Sequence, residues 1–191
     1  MSTKLKIAAA VAAAVLLSAC SSPKHEPMPL VKFTPSMEVT EVWSKGLSSA
    51  EGFLVPAVYD DMVFAAGGKT LTRLNARTGE TEWSVSFNSP ITGGVGSDGY
   101  VTAVGLWDGN LEVVDAEGKV SWEKKLTTEL ASPPVVSHGL VIARTMDTRV
   151  SAFEVSSGEL QWTYQRSQPA LTVRLPTRML AHDNFLLVGQ P

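Results

Sequence analysis

Four tryptophans, Trp43, Trp83, Trp122 and Trp162, recur at intervals of 40, 39 and 40 residues. Self-similarity near this period belongs to blade arrays, in which each repeat is a small sheet that cannot bury its faces alone. The surrounding text repeats as well. Leu74-Asn75-Ala76-Arg77-Thr78-Gly79-Glu80-Thr81-Glu82-Trp83 aligns with Val114-Asp115-Ala116-Glu117-Gly118-Lys119-Val120-Ser121-Trp122 and with Phe153-Glu154-Val155-Ser156-Ser157-Gly158-Glu159-Leu160-Gln161-Trp162. In each, a glycine stands four residues before the tryptophan, where a tight turn needs positive φ.

Strand signals fill the space between tryptophans. In the first complete repeat, Leu54 to Tyr59 reads as a short strand ended by Asp60-Asp61, and Met62 to Ala66 as a second, nearly all apolar. An unbroken apolar strand is what a sheet covered on both faces requires. Gly67-Gly68 then closes a hairpin into Thr70 to Asn75, and Thr78-Gly79 another into Thr81 to Phe87. The second repeat gives Tyr100 to Trp107, Leu111 to Asp115 and Val120 to Leu126, with turns at Asp108-Gly109 and Glu117-Gly118. The third gives Pro133 to Ser137 and Leu140 to Thr145, with turns at His138-Gly139, Asp147-Thr148 and Ser157-Gly158. No body segment has helical apolar spacing.

The expected fold is therefore all-β, a β-propeller of four-stranded antiparallel blades. Val42-Trp43-Ser44 matches only the last strand of a repeat, and Met179-Leu180 with Phe185 to Val188 only the first two strands of another. Three full blades and two partial ones cannot close a ring, since propellers have four to eight blades. The expectation is the front half of a longer protein, whose final blade the N-terminal strand completes.

Composition excludes some classes. With 44% apolar and 18% charged residues the chain is globular, and a net charge of −3 leaves no cationic excess for nucleic acid. Cys20 is the sole cysteine, which excludes an intrachain disulfide and a cysteine-based metal site. Lys4 and Lys6 precede an apolar run from Ile7 to Leu17, too short to span a bilayer as a helix. Residues 1–19 thus read as a secretory signal peptide. Leu17-Ser18-Ala19-Cys20 resembles the lipobox of bacterial lipoproteins, which implies cleavage before Cys20 and lipid attachment to it; an ordinary cleavage site beside an incidental cysteine is the alternative. By the sorting rule of such lipoproteins, Ser21 implies the outer membrane. Residues 20–41, with Pro23, Pro27, Pro29 and Pro35, read as an extended tether, His25 within it being solvated, and residues 42–191 as the partial propeller.

The alanine–turn–glycine–tryptophan repeat resembles that of eight-bladed PQQ-type propellers, so the complete ring is expected to have eight blades. Together, lipobox, proline-rich tether and repeat resemble the BamB lipoprotein family of the outer-membrane β-barrel assembly machinery, across essentially the whole chain. Leu171-Thr172-Val173-Arg174 is similar to the Leu-Ser-Leu-Arg segment by which that family docks onto the periplasmic POTRA domains of BamA; Val173 departs from the pattern, and Leu175 stands where the family tends to have glycine. The resemblance implies a non-enzymatic scaffold on the periplasmic face of the outer membrane, without cofactor. Its partners would be BamA, other subunits of the machinery and outer-membrane protein substrates, with Leu171, Val173 and Arg174 as contacts. Physically, three aliphatic residues and an arginine between Pro169 and Pro176 suit an interface centre. The rival reading is that Leu171, Val173 and Leu175 alternate as the start of a fourth blade.

Other signals are weaker. Gly94-Val95-Gly96-Ser97-Asp98-Gly99 fits G-x-G-x-x-G, but a strand and no helix follows, so it is not a phosphate cradle. Asp60-Asp61 could ligate metal, yet a hairpin turn accounts for them. His138 and His182 fall at equivalent turns of successive blades, and the four tryptophans suit packing between blades, with Trp107 outside the series and simply buried. The competing function class is half of a PQQ-dependent dehydrogenase with PQQ and calcium at the propeller axis. Such enzymes usually carry an adjacent cysteine pair, and the only cysteine here precedes the mature fold. Another propeller-type binding lipoprotein is a third possibility.

Overall fold

A computed structural model describes residues 28–31, 33–34, 36–48, 54–167 and 177–189. The chain divides into two units, Met1–Thr40 and Glu41–Pro191. In the first, the described residues form no helix or strand, and Met28, Leu30, Val31, Phe33, Met37 and Val39 are exposed. The second holds all the strands found among the described residues.

Its first sheet comprises β1 (Ala57–Tyr59), β2 (Met62–Gly67), β3 (Thr70–Asn75) and β4 (Thr81–Ser86), hydrogen-bonded in chain order and antiparallel throughout. The second comprises β5 (Ile91–Ser97), β6 (Thr102–Leu106), β7 (Asn110–Val114) and β8 (Val120–Lys125), and the third β9 (Val135–Ser137), β10 (Leu140–Arg144), β11 (Val150–Glu154) and β12 (Leu160–Tyr164). A two-stranded hairpin, β13 (Leu180–His182) and β14 (Phe185–Leu187), follows. These are three propeller blades and part of a fourth.

Strand alternation decides how the sheets stack. On β6 and β7, Val104, Leu106 and Val114 point to the first sheet and join Phe64, Leu71 and Ile91 in one core. Ala103, Leu111 and Val113 point the other way and join Val141, Ala143 and Phe153 of the third sheet. The same division recurs on β10 and β11, where Ile142, Val150 and Ala152 meet Met179 and the last hairpin. The inner strands are consequently buried on both faces: β6 has no exposed residue. Each buried Val, Leu or Phe contributes about 1.5–3 kcal/mol, so the sheets are held mainly by what lies between them.

Several expected boundaries move. The first strand begins at Ala57 and not Leu54, and the third sheet's at Val135 and not Pro133, since a proline lacks the N–H that a ladder needs. Val42-Trp43-Ser44 is not paired into a sheet among the described residues, although Trp43 is engaged as described below. His138 lies in the β9–β10 turn with φ 51°, whereas His182 is the last residue of β13; the residue equivalent to His138 is Asp183, φ 48°. The expected equivalence of the histidines is thus off by one. Trp107 is not buried but 62% exposed at the β6–β7 turn. Asp60-Asp61 forms the two-residue turn between the paired Tyr59 and Met62.

Candidate functional site

The repeating tryptophans make one recurring contact. Trp43 Nε1 donates to Ala76 O at 2.8 Å, Trp83 Nε1 to Ala116 O at 2.8 Å and Trp122 Nε1 to Val155 O at 2.9 Å, each 33 residues ahead. The ring lies flat on the glycine of the same turn. A Cβ on Gly118, which has φ +81°, would stand 2.7 Å from Trp83 Cδ2, and Gly79 and Gly158 meet Trp43 and Trp122 in the same way. That turn is preset by a side-chain acceptor: Asp115 Oδ1 accepts the N–H of Glu117 and Lys119, and Asn75 Oδ1 those of Arg77 and Thr78. Trp162, on β12, is 38% exposed and has no such acceptor among the described residues.

A bulge aims each ring. Trp83 pairs with Arg73 but Thr81 with Leu74, so Glu82 is the extra residue. Ser121 and Gln161 are extra at the same place before Trp122 and Trp162. A bulge raises local twist and re-aims its neighbour, here toward the next sheet. Sequence reading did not find it, because one inserted residue leaves the strand's apolar pattern intact.

The chosen partner-contact residues, Leu171, Val173 and Arg174, and the lipid-attachment candidate Cys20 lie outside the described residues. The connections from β4 to β5 and from β8 to β9 run at the end of the sheets that carries the β2–β3, β6–β7 and β10–β11 turns. Backbone bonds tie this end together: Phe87 N donates to Lys69 O, Trp107 N to Pro90 O and Met146 N to Glu129 O. It presents the exposed Trp107 together with Lys69, Lys125, Arg149 and Arg166.

Between β8 and the third sheet, this end opens into a cleft of about 240 Å³. Lys124, Lys125 and Arg149 supply charge, Thr145, Ser151 and Thr163 hydroxyls, and Leu126, Phe153 and Leu160 apolar wall. Lys125 Nζ is committed to Asp108 O. Arg149 Nη2 donates to Gln165 Oε1 at 3.2 Å, while its buried Nε has no hydrogen-bond partner and lies 3.7 Å from Asp147 Oδ2. Burial pushes the Asp147 carboxyl up, but hydrogen bonds from Thr145, Thr127 and the Arg149 backbone, with the Arg149 charge, outweigh it and hold the carboxyl below its usual range. Asp147 therefore favours its anionic form beside the cleft, whose described lining carries three cationic side chains and no carboxylate. Among the described residues no group of three or more His, Cys, Asp or Glu could hold a metal.

The glycines of the G-x-G-x-x-G match have a structural use. Gly94 and Gly96 lie on β5, with Gly99 in the turn to β6, and a Cβ on Gly96 would stand 2.0 Å from Pro134 O. They permit the close approach of neighbouring sheets.

Comparison with known proteins follows the same lines. A family model described as outer membrane protein assembly factor BamB matches residues 39–90 and 67–191. The chain is 36% identical over 189 residues to the outer membrane protein assembly factor BamB of Burkholderia pseudomallei, covering 96% of this chain and 50% of that one. It spans about half the length of the curated relatives it matches. Among solved structures, BamB from Moraxella catarrhalis superposes with a TM-score of 0.61 and 27% identity, over 68% of this chain and 40% of that one. A quinohemoprotein alcohol dehydrogenase from Pseudomonas putida superposes at 0.53 with 21% identity, over 61% of this chain and 21% of that one, a likeness of fold alone.

Proposed function

The chain belongs to the BamB family of outer-membrane protein assembly factors, and from that premise we propose that it acts as a non-enzymatic scaffold, anchored by lipid on Cys20 at the periplasmic face of the outer membrane. There it docks on the periplasmic POTRA domains of BamA and assists assembly of β-barrel proteins. The observation that carries this reading is the family match running through all three blades and the last hairpin, residues 39–191. The blades suit the role. Rigid stacked sheets leave connecting loops free to vary, and a loop held by a rigid frame loses little entropy on binding. No cofactor is required by such a function.

Leu171, Val173 and Arg174 are the proposed contacts. Replacing Arg174 with Glu removes a five-donor fork and sets a like charge against an acidic partner, a change expected to cost about 2–5 kcal/mol, or 30-fold or more in affinity. The variant should keep its β circular-dichroism signal and lose co-purification with BamA. Recovery of BamA at wild-type levels would remove this segment from the interface, and unfolding would favour its role as strand packing.

Anchoring is tested separately. Several acyl chains hold far more firmly than one, at about 0.8 kcal/mol per buried CH₂. Cys20→Ala should leave the protein soluble in the periplasm or unprocessed in the inner membrane. Normal fractionation with the outer membrane would rule out lipid attachment at this residue.

A further inference from the structure

We propose that the cleft between β8 and the third blade is a binding site for an acidic, extended peptide segment. None of its described lining residues belongs to the 171–174 segment, and the proposal does not depend on BamA being the partner. Three features converge on it. Lys124 follows Trp122 by two on β8 and so faces the third blade, as do Leu111, its cross-strand partner, and Val113. Its ammonium has no hydrogen-bond or ion-pair partner among the described residues, unlike that of Lys125. The second feature is Arg149 Nε, a buried donor with no hydrogen-bond acceptor, approached only by Asp147 Oδ2 at the longer distance of 3.7 Å. Burying such a donor is unfavourable unless an acceptor arrives, and a ligand carboxylate is the acceptor that its charge favours.

The third is the character of the remaining wall. A volume of about 240 Å³ is several times the ~30 Å³ share of a water molecule, so the cleft exceeds what one small anion fills. Leu126, Ala143, Phe153 and Leu160 line it beside Thr145, Ser151 and Thr163. A carboxylate with an apolar neighbour on the same chain satisfies both kinds of wall, whereas a free inorganic anion satisfies only one. Among the described residues no carboxylate lines the cleft, and Asp147 beside it is compensated by Thr127, Thr145 and Arg149. The charge on the described lining is therefore positive.

The test uses the full chain and a fluorescein-labelled, blocked octapeptide of alternating Glu and Leu, with a Lys/Leu octapeptide as control, followed by anisotropy. The acidic peptide should bind and the basic one should not. Lys124→Glu should weaken binding at least about 10-fold, and Lys124→Arg should stay within about threefold of the parent. Arg174→Glu, which tests the docking segment, should leave the peptide affinity unchanged. Equal binding of both peptides, or an unaltered affinity in Lys124→Glu, would overturn the proposal. Inorganic phosphate at millimolar concentration displacing the peptide completely would overturn the peptide reading in favour of a simple anion site.

Discussion

Gly118→Ala is expected to destabilise the protein by about 3–4 kcal/mol, although it adds one methyl group at an exposed turn. Two costs add. The residue has φ +81°, a left-handed conformation that costs an L-residue about 1–2 kcal/mol. The new Cβ would also stand 2.7 Å from Trp83 Cδ2 and 2.9 Å from Cε3, so the ring must move off the turn. Moving it weakens the Nε1 bond to Ala116 O, worth about 1 kcal/mol, and opens a gap beside Phe64, whose ring centre is 6.1 Å from that of Trp83.

Gly139→Ala separates the two costs. Gly139 has a similar φ of +73° but no atom within 4 Å of its would-be Cβ, so only the backbone cost of about 1–2 kcal/mol is expected. Urea unfolding followed by far-ultraviolet circular dichroism gives both values. A Trp83→Ala background supplies the second control: there Gly118→Ala should fall to the cost of Gly139→Ala, since neighbours in contact are not additive. Equal losses from the two glycines in the parent chain would mean that the tryptophan does not clamp the turn.

The clamp also shows how far the sequence could be read. Trp83 and Gly118 are legible because their spacing repeats, and a repeat reports a contact even when its geometry is unknown. What the spacing could not report is direction. The tryptophan of one blade rests on the glycine of the next, and the extra residue that turns it there, Glu82 or Ser121, leaves no pattern. The strand Ile91–Ser97 is not legible in the sequence for a related reason. Its glycines replace the alternating apolar residues by which a strand is recognised, yet the absence of side chains at Gly94 and Gly96 is what lets Pro133 and Pro134 of the third blade come close. Trp107 is exposed where its type suggests burial, because exposure depends on where a turn projects, which residue type does not say. The cleft beside Lys124 was out of reach altogether. Its walls come from β8, β10, β11 and β12, and their juxtaposition exists only once the blades stack.

Glu112 makes the second large expectation, a dependence of stability on pH. It sits on β7, only 7% exposed, on the face that turns to the first blade. Directly across the ladder is Glu123. Burial is the main cause that raises the Glu112 carboxyl from its ordinary 4.5 to about 7; the Glu123 charge, a hydrogen bond shared with Glu123, and Asp108 add to it. Unfolding exposes Glu112 to water and returns it to its ordinary value. A carboxyl whose folded value is raised favours folding while it is protonated. Its full contribution is therefore present below about pH 4.5, falls as the pH rises toward 7, and is gone above that. At 1.36 kcal/mol per pH unit, the loss across this window is at most about 3 kcal/mol.

Glu112→Gln should remove that loss. The amide fills the same space, can donate to the Glu123 carboxylate and carries no charge to bury. Near pH 4.5 parent and variant should be almost equally stable, while at pH 8 the variant should be more stable by about 2 kcal/mol. Glu123→Gln should recover only part of this gain, because burial outweighs the Glu123 charge among the causes. Urea midpoints at pH 4.5, 6 and 8 for all three chains decide the matter, since every other titrating group is common to them. Parallel curves for parent and Glu112→Gln would mean that Glu112 is ionised in the fold at neutral pH. In that case a cation must lie against it, and Arg73, which already donates to Ala116 O at the junction of these two blades, would be the first residue to replace.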